Sequence, residues 1–404
     1  MSNVRPMVPV QLSAYTLVTA NGRGIGPLLK ALRERRSGLT PCDFEDVALN
    51  TYIGRVAGLE DVSLDRDIER FDCRNNRLAW LGLQQDGFMG AVADAKQRYG
   101  AHRIAVVMGT STSGILETEH AYRARNPQTN RLPKDYASRY QYTHNMFSLG
   151  SFVRTYLALQ GPAMVISTAC SSSAKVFASA VRLMQTGLCD AAIVGGVDSL
   201  CHTTLYGFSS LQLLSSGPCR PCDEDRDGLS LGEAAGYALL ESSERSSEQG
   251  AVALLGYGES TDGYHMSHPH PEGTGAVRAI QDSLSRAEIR PEEVNYVNLH
   301  GTATVANDAV EDKAVYSVFG THPACSSTKG WTGHTLGAAG ITEAIISALC
   351  LTHGLIPGTL NCRQVDASLK SRIHYENQSG PLSYVVSNIF GFGGNNCSLV
   401  FGRR

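Results

Sequence analysis

Val165-Ile166-Ser167-Thr168-Ala169-Cys170-Ser171-Ser172-Ser173 is the stretch whose reading decides the fold of this chain. A short apolar, β-prone run ends at a cysteine, and small residues then lead into a helical pattern. In that pattern Val176, Phe177, Ala180, Val181 and Met184 share one stripe, and Gly187 stands where a helix would stop. The spacing predicts a strand, a sharp turn and a helix, with the Cys170 thiol lifted onto the turn. At the positive end of a helix, unpaired N–H groups and the dipole favour the thiolate. Taken alone, Cys170 is better read as a buried structural cysteine, because free cysteine packs as a small hydrophobe.

Outward from this turn, short β-like runs alternate with helical patterns along the whole chain, which predicts an α/β fold around a buried sheet. The strand candidates are Ile104–Met108, Met164–Ser167, Ala191–Val194, Tyr296–Leu299 and Tyr384–Ser387. Each is a continuous apolar run bounded by glycine or polar residues, the pattern of a strand covered on both faces. Ala276–Arg286 and Ala309–Val318 read as helices. The polar stretch 241–250 is the candidate boundary between halves, placed at 248/249, and the Arg-rich segment 122–142 reads as a surface insertion.

Four hundred and four residues, 42% of them hydrophobic, suffice for a large core or a duplicated fold. A net charge of −3 gives no reason to expect nucleic acid or an anionic membrane as the main partner. Eleven cysteines without a disulfide-like framework, and no leader pattern, lead us to expect reduced thiols in the cytoplasm. No apolar run is expected to approach the roughly 18 residues that cross a bilayer. Cys219-Arg220-Pro221-Cys222 is a lone CxxC, and without a second pair no metal site is expected.

Three further motifs carry chemistry. Tyr296-Val297-Asn298-Leu299-His300-Gly301-Thr302-Ala303-Thr304 leads a strand into a histidine, with Asn307-Asp308 and Glu311 following. Lys329-Gly330-Trp331-Thr332-Gly333-His334 sets a second histidine before the Gly/Ala-rich start of a helix, Leu336-Gly337-Ala338-Ala339-Gly340. Small residues there let the helix backbone come close to another helix or to a substrate. Asn388-Ile389-Phe390-Gly391-Phe392-Gly393-Gly394-Asn395-Asn396 is a glycine-rich loop between strand candidates. A lone histidine is commonly a satisfied core or surface residue and a glycine-aromatic loop commonly a turn. Their joint occurrence, in this order, is harder to explain structurally.

TACSSS, HGTAT with the following ND, KGWTGHTLGAAG and GFGGNN resemble the motif set of the β-ketoacyl-acyl-carrier-protein synthases, condensing enzymes of the thiolase superfamily. The resemblance runs from about residue 10 to the C-terminus and takes in Asp223–Gly228, Leu231-Gly232-Glu233 and Tyr264-His265-Met266. Cys170, His300 and His334 match the elongating Cys-His-His type. The resemblance implies a thiolase-like α/β fold of duplicated halves in five αβαβα layers. Residues 1–248 would carry the nucleophile and residues 249–404 both histidines.

It also implies a reaction. Cys170 would take an acyl chain from the phosphopantetheine arm of an acyl carrier protein, and the N–H groups of Cys170 and Phe392 would form an oxyanion hole. Decarboxylation of malonyl-carrier protein would then give an enolate held by two neutral imidazoles, His300 and His334, with no cofactor or metal. Lys329 and Glu311 match positions that organise the histidines and are expected to pair, with Asp308 in support. Phe392 between Gly391 and Gly393 matches a gating position, and Thr112 and Phe208 match the acyl pocket. An acidic carrier protein would meet a basic entrance, for which Arg70, Arg74 and Arg77 at helical spacing are candidates beside Arg123, Arg125, Arg131 and Lys134. An ordinary solvated face explains these charges as well.

The resemblance implies a homodimer paired across a sheet edge, or a heterodimer with a related subunit, extending a fatty acyl or polyene chain by two carbons. Two other readings remain: a non-elongating subunit that sets chain length beside a synthase, and a Cys-His hydrolase. The first usually lacks the cysteine, and the second leaves His334 and its Gly/Ala-rich segment without a role. Ala303, Trp331, Asn395 and Cys222 depart from the usual residues and suggest a specialised paralogue.

Overall fold

A computed structural model of the protein describes residues 4–242 and 250–403. The boundary expected at 248/249 lies outside the described residues. Ten strands make the spine of one mixed sheet: β1 (Val10–Thr19), β2 (Ile104–Gly109), β3 (Ala163–Ile166), β4 (Ala191–Asp198), β5 (Ala234–Ser242), β6 (Val252–Thr261), β7 (Tyr296–Asn298), β8 (Ala324–Ser326), β9 (Tyr384–Gly391) and β10 (Asn395–Arg403). Gly22–Arg23 is a short eleventh strand on β1.

The spatial order is β8-β7-β9-β10-β6-β1-β5-β4-β2-β3. Counted from their own outer edges, the first five strands and the last five follow the same order, third-second-fourth-fifth-first. In each set the three outer strands are parallel and the other two join antiparallel. The two sets meet where β1 pairs β6 through Val10↔Leu254 and Gln11↔Ala253. The chain is thus a duplicated α/β unit.

The helices that matter for function are α1 (Arg74–Leu83), α2 (Ile115–Arg123), α3 (Ser172–Gln185), α4 (His202–Ser210), α5 (Thr274–Ala287), α6 (Val305–Phe319) and α7 (Ala339–His353). One core gathers α3 and α7 against the inner faces of both strand sets. A second lies under α1 and the helices 88–99 and 147–156, and a third under α5 and α6. Outer helices, one strand set, central helices, the other strand set and outer helices make the five layers.

Every strand expected is present with shifted ends, β4 and β9 each running four residues further than their apolar cores. Helix α6 begins at Val305 because Thr304 is extended, and Asp308 in its first turn suits the positive helix end. One expectation fails. Leu336–His353 is long and apolar enough to cross a membrane, but 89% of it is buried inside the protein. A helix apolar on all sides belongs in the middle of a large core, and α7 is the central layer. Its GAAG start is the close approach anticipated: a Cβ on Gly340 would lie 2.2 Å from the backbone N of Ala174 on α3.

Candidate active site

The turn between β3 and α3 is sharp because Ala169 takes a left-handed conformation, φ 52°. The serines of the motif hold it. Thr168 N–H donates to Ser172 Oγ (2.9 Å), Ser172 Oγ–H donates to Ala169 O (2.6 Å), and Ser171 Oγ–H donates to Thr168 O (2.9 Å). Ser173 Oγ accepts the N–H of Ile341 (2.9 Å), tying α7 to the same turn. Cys170 is thereby presented to a cleft that His300, His334, Phe208 and Phe392 also line.

The cleft brings the three expected residues together. His334 Nε2 lies 2.9 Å from Cys170 Sγ, and one nitrogen of each imidazole and the sulfur all fall within 4.8 Å of one another. The two rings stand edge to face, 5.3 Å between centroids. His334 is fixed by its backbone: its N–H donates to Ser230 O (2.7 Å) and its O accepts from Gly232 N–H (3.0 Å). His300 lies two residues beyond β7. Lys329 Nζ donates to His300 O (2.5 Å) and lies 3.3 Å from His300 Nδ1. An ammonium has no lone pair, so Nδ1 accepts and the neutral ring carries its proton on Nε2.

Burial, then the Lys329 charge, pushes the pKa of both imidazoles well below the ordinary value, so both rings are neutral at pH 7. Burial pushes the Cys170 thiol up to about 11. The N–H groups of Phe392 and of Cys170 itself and the Lys329 charge pull it down, without offsetting desolvation. The thiolate expected from the helix end is therefore not the resting form. A neutral thiol faces a neutral imidazole.

Lys329 does not pair with Glu311. Its ammonium is bonded to Glu343, from the apolar interior of α7. Glu311 instead accepts the N–H groups of His300 and Gly301, both at 2.7 Å, and supports His300 through its main chain. Burial raises the Glu311 pKa to about 8 against those two bonds. Asp308 accepts from Cys222 N–H (2.9 Å) and Ala303 N–H (3.2 Å), stitching the loop after β7 to segment 219–222. Both cysteines of the CxxC are buried and free, and Cys219 Sγ lies 3.3 Å from Lys329 O.

Phe392 sits in the one-turn link between β9 and β10, its N–H directed at the sulfur and its ring stacked on Phe208 at 5.5 Å. Gly391 passes so close to the turn that a Cβ would be 3.0 Å from Ser171 N, and Gly393 has φ +76°. Thr112 does not line the cleft. Its N–H and hydroxyl both bond Asp198, which also accepts from Thr110 Oγ1, Ser111 N–H and Gly337 N–H. Asp198 and Glu343 escaped the sequence reading, although an acid closing an eight-residue apolar strand and one inside an apolar helix were the available signals.

The arginine triplet is not one surface. Arg74 is buried, paired with Glu233 (2.7 Å) and Glu60 (2.5 Å). Arg77 is half-buried against Asp72 (2.6 Å), and Arg70 alone is exposed, over the rings of Phe71 and Tyr142. Burying a guanidinium requires such partners, so α1 carries a structural ion pair at Arg74. Segment 122–142 lies at the surface, with Arg125, Arg131 and Lys134 exposed.

A thiol, a neutral base at hydrogen-bond distance, a second N–H donor and two backbone N–H groups can form and break a thioester. Sequence models of the family agree. The β-ketoacyl synthase N-terminal domain matches residues 8–246, and the C-terminal domain matches residues 251–363. The chain belongs to the β-ketoacyl synthase family. It is 39% identical over 258 residues to 3-oxoacyl-[acyl-carrier-protein] synthase 2 of Staphylococcus aureus, covering 61% of this chain and 64% of that protein. It is 40% identical over 260 residues to the mitochondrial 3-oxoacyl-[acyl-carrier-protein] synthase of Arabidopsis thaliana, covering 60% of this chain and 56% of that one. These matches span less than two thirds of the curated relatives' length. Similarity to solved structures extends further. One chain of the complex between a ketosynthase and its chain length factor from Xenorhabdus doucetiae superposes with TM-score 0.87 at 37% identity, over 98% of each chain. A Burkholderia phymatum β-ketoacyl synthase does so with TM-score 0.87 at 27% identity, over 98% of this chain and 100% of that one.

Proposed function

We propose that the protein is an elongating β-ketoacyl-acyl-carrier-protein synthase, an acyltransferase that joins an acyl group to malonyl-carrier protein by decarboxylative Claisen condensation. The observation that carries this reading is the 2.9 Å contact of His334 Nε2 with Cys170 Sγ, with His300 in the same cleft. In the first step Cys170 Sγ attacks the carrier thioester while His334 Nε2 takes its proton. The N–H groups of Cys170 and Phe392 hold the tetrahedral oxyanion. The carrier thiol leaves with the proton, and the acyl group stays on sulfur. Once the sulfur is acylated, the single proton of the neutral His334 ring moves from Nδ1, which has no hydrogen-bond partner among the described residues, to Nε2. This Nε2–H joins that of His300 in holding the enolate oxygen as malonyl-carrier protein loses CO2. The enolate carbon attacks the acyl-Cys170 thioester and expels the thiolate, giving a product two carbons longer. Phe392 with Gly391 and Gly393 gates the cleft, and Phe208 limits the acyl chain. No cofactor is required beyond the carrier's phosphopantetheine arm.

We place the two halves at 1–248 and 249–404, on either side of the family-domain break, and the protein in the cytoplasm, where its eleven free cysteines stay reduced. The edge strand β3 exposes four half-buried apolar residues, Ala163–Ile166, which suits edge pairing with a second copy or with a related ketosynthase-like subunit. The test is incubation with acyl- and malonyl-carrier protein. Wild type gives β-ketoacyl product and a Cys170 acyl adduct by intact mass, and Cys170→Ala gives neither. Elongation by Cys170→Ala would overturn the reading. A wild-type protein that forms no acyl adduct while copurifying with a synthase would instead be the non-elongating, chain-length-setting subunit.

A further inference from the structure

Outside the cleft, Glu45, His120 and His202 bring three ligand atoms from separate elements within 4.8 Å of one another. Glu45 lies in the loop between the short strands Thr40–Pro41 and Tyr52–Gly54, His120 on the last turn of α2, and His202 is the first residue of α4. His202 Nε2 is 2.6 Å from Glu45 Oε2, and His120 Nε2 is 3.2 Å from each carboxylate oxygen. Tetrahedral zinc with bonds of about 2.1 Å keeps its ligand atoms about 3.4 Å apart, so the set is already near that spacing.

Its surroundings suit a cation. The carboxylates of Glu45, Asp46 and Glu119 face one guanidinium, Arg123, which leaves an excess of negative charge. Asp46 Oδ1 is 3.7 Å from His202 Nε2, close enough to serve as a fourth ligand or to hold a water there. His202 is buried, and Glu119 fixes its backbone by accepting the N–H groups of His202 (3.0 Å) and Thr203 (2.8 Å). Two imidazoles and a carboxylate are the ligand types that borderline divalent metals prefer.

We propose that Glu45, His120 and His202 form a binding site for a divalent transition metal of the zinc class. Arg123 Nη2 now donates to His202 Nδ1 (3.1 Å), which places the proton of the neutral ring on Nε2. Binding moves that proton to Nδ1 and frees Nε2 for the metal. Arg123, half-exposed, gives up His202 and keeps Asp46. The metal would clamp loop 43–47 and α2 onto α4, the helix that presents Phe208 to the cleft. Its role is structural, and it does not depend on the condensation reading.

The test uses the full chain as its Cys170→Ala variant, so that the Cys170–His300–His334 group offers no thiolate to the probe. Titration with Co2+ should give one equivalent with the visible absorption of a low-coordinate site, displaced by Zn2+. Glu45→Gln and His120→Gln, both at solvent-accessible positions, should each weaken binding by roughly tenfold or more. Their unfolding temperature without metal should stay near that of the parent. Absence of one-to-one binding in the parent would overturn the proposal, as would unchanged Co2+ affinity and spectrum in both variants.

Discussion

The ionisation of Cys170 separates two accounts of its reactivity. If the helix end created a thiolate, the sulfur would be anionic at neutral pH without help. Burial instead moves the thiol from 9.0 to about 11. A shift of about two pH units lowers the thiolate population roughly a hundredfold at neutral pH, to about one sulfur in ten thousand. In His334→Ala, where no side-chain base lies at 2.9 Å, alkylation of Cys170 by iodoacetamide should therefore rise about tenfold per pH unit with no plateau below pH 9. Wild type should react faster near neutrality, because His334 Nε2 takes the proton as the sulfur attacks. The assay is peptide-resolved mass spectrometry of alkylation against pH, which keeps half-exposed Cys42 from being counted. The linkage follows the same sign: a thiol whose folded pKa is raised adds stability that is complete below pH 9 and lost as the pH climbs towards 11. A plateau below pH 8 in His334→Ala would mean that the helix end outweighs desolvation, and the reasoning would be wrong.

Other perturbations test the supports of the cleft. Lys329→Met leaves Glu343 buried without its cation and should cost about 3–5 kcal/mol in denaturant unfolding. Glu343, already raised to about 7, can neutralise at low pH, so the loss should be smaller at pH 6 than at pH 8.5. Gly340→Val would press a side chain into the Ala174 backbone, 2.2 Å from an added Cβ. Overpacking costs of about 1–3 kcal/mol or more are expected, with acyl-adduct formation lost as α3 shifts. Arg74→Glu should destabilise the protein by about 3–5 kcal/mol, since it sets a third carboxylate against Glu60 and Glu233. Arg70→Glu, which loses only its contacts with the Phe71 and Tyr142 rings, should cost no more than about 1 kcal/mol, so within this triplet a rise in carrier-protein KM can be read as docking at Arg70 alone. Phe208→Ala removes the stack on Phe392 and widens the cleft, and mass spectrometry of products should show longer chains.

How much of this was legible in the sequence depended on whether a residue's role lay in a local pattern or in a distant partner. The β3–α3 turn was legible because apolar run, small residues and helical stripe follow one another within twenty residues. So were the strands, whose continuous apolar character reflects burial on both faces. Arg70, Arg74 and Arg77 misled because charge at helical spacing says nothing about what faces it. Glu233, 159 residues away in sequence, turns Arg74 from a docking residue into a buried ion pair. Lys329 misled for the same reason: Glu311 is the nearer match by motif, while the acid it meets is Glu343, one turn into the helix that Gly340 lets close on α3. The Cys170 ionisation was misjudged because a helix dipole is a local property, whereas desolvation sums over everything packed around the sulfur. In this fold the sulfur is closed in partly by His334 and the β9–β10 link, which arrive from the far half of the chain. A residue's identity therefore announced the chemistry, and its charge state waited on the packing of both halves.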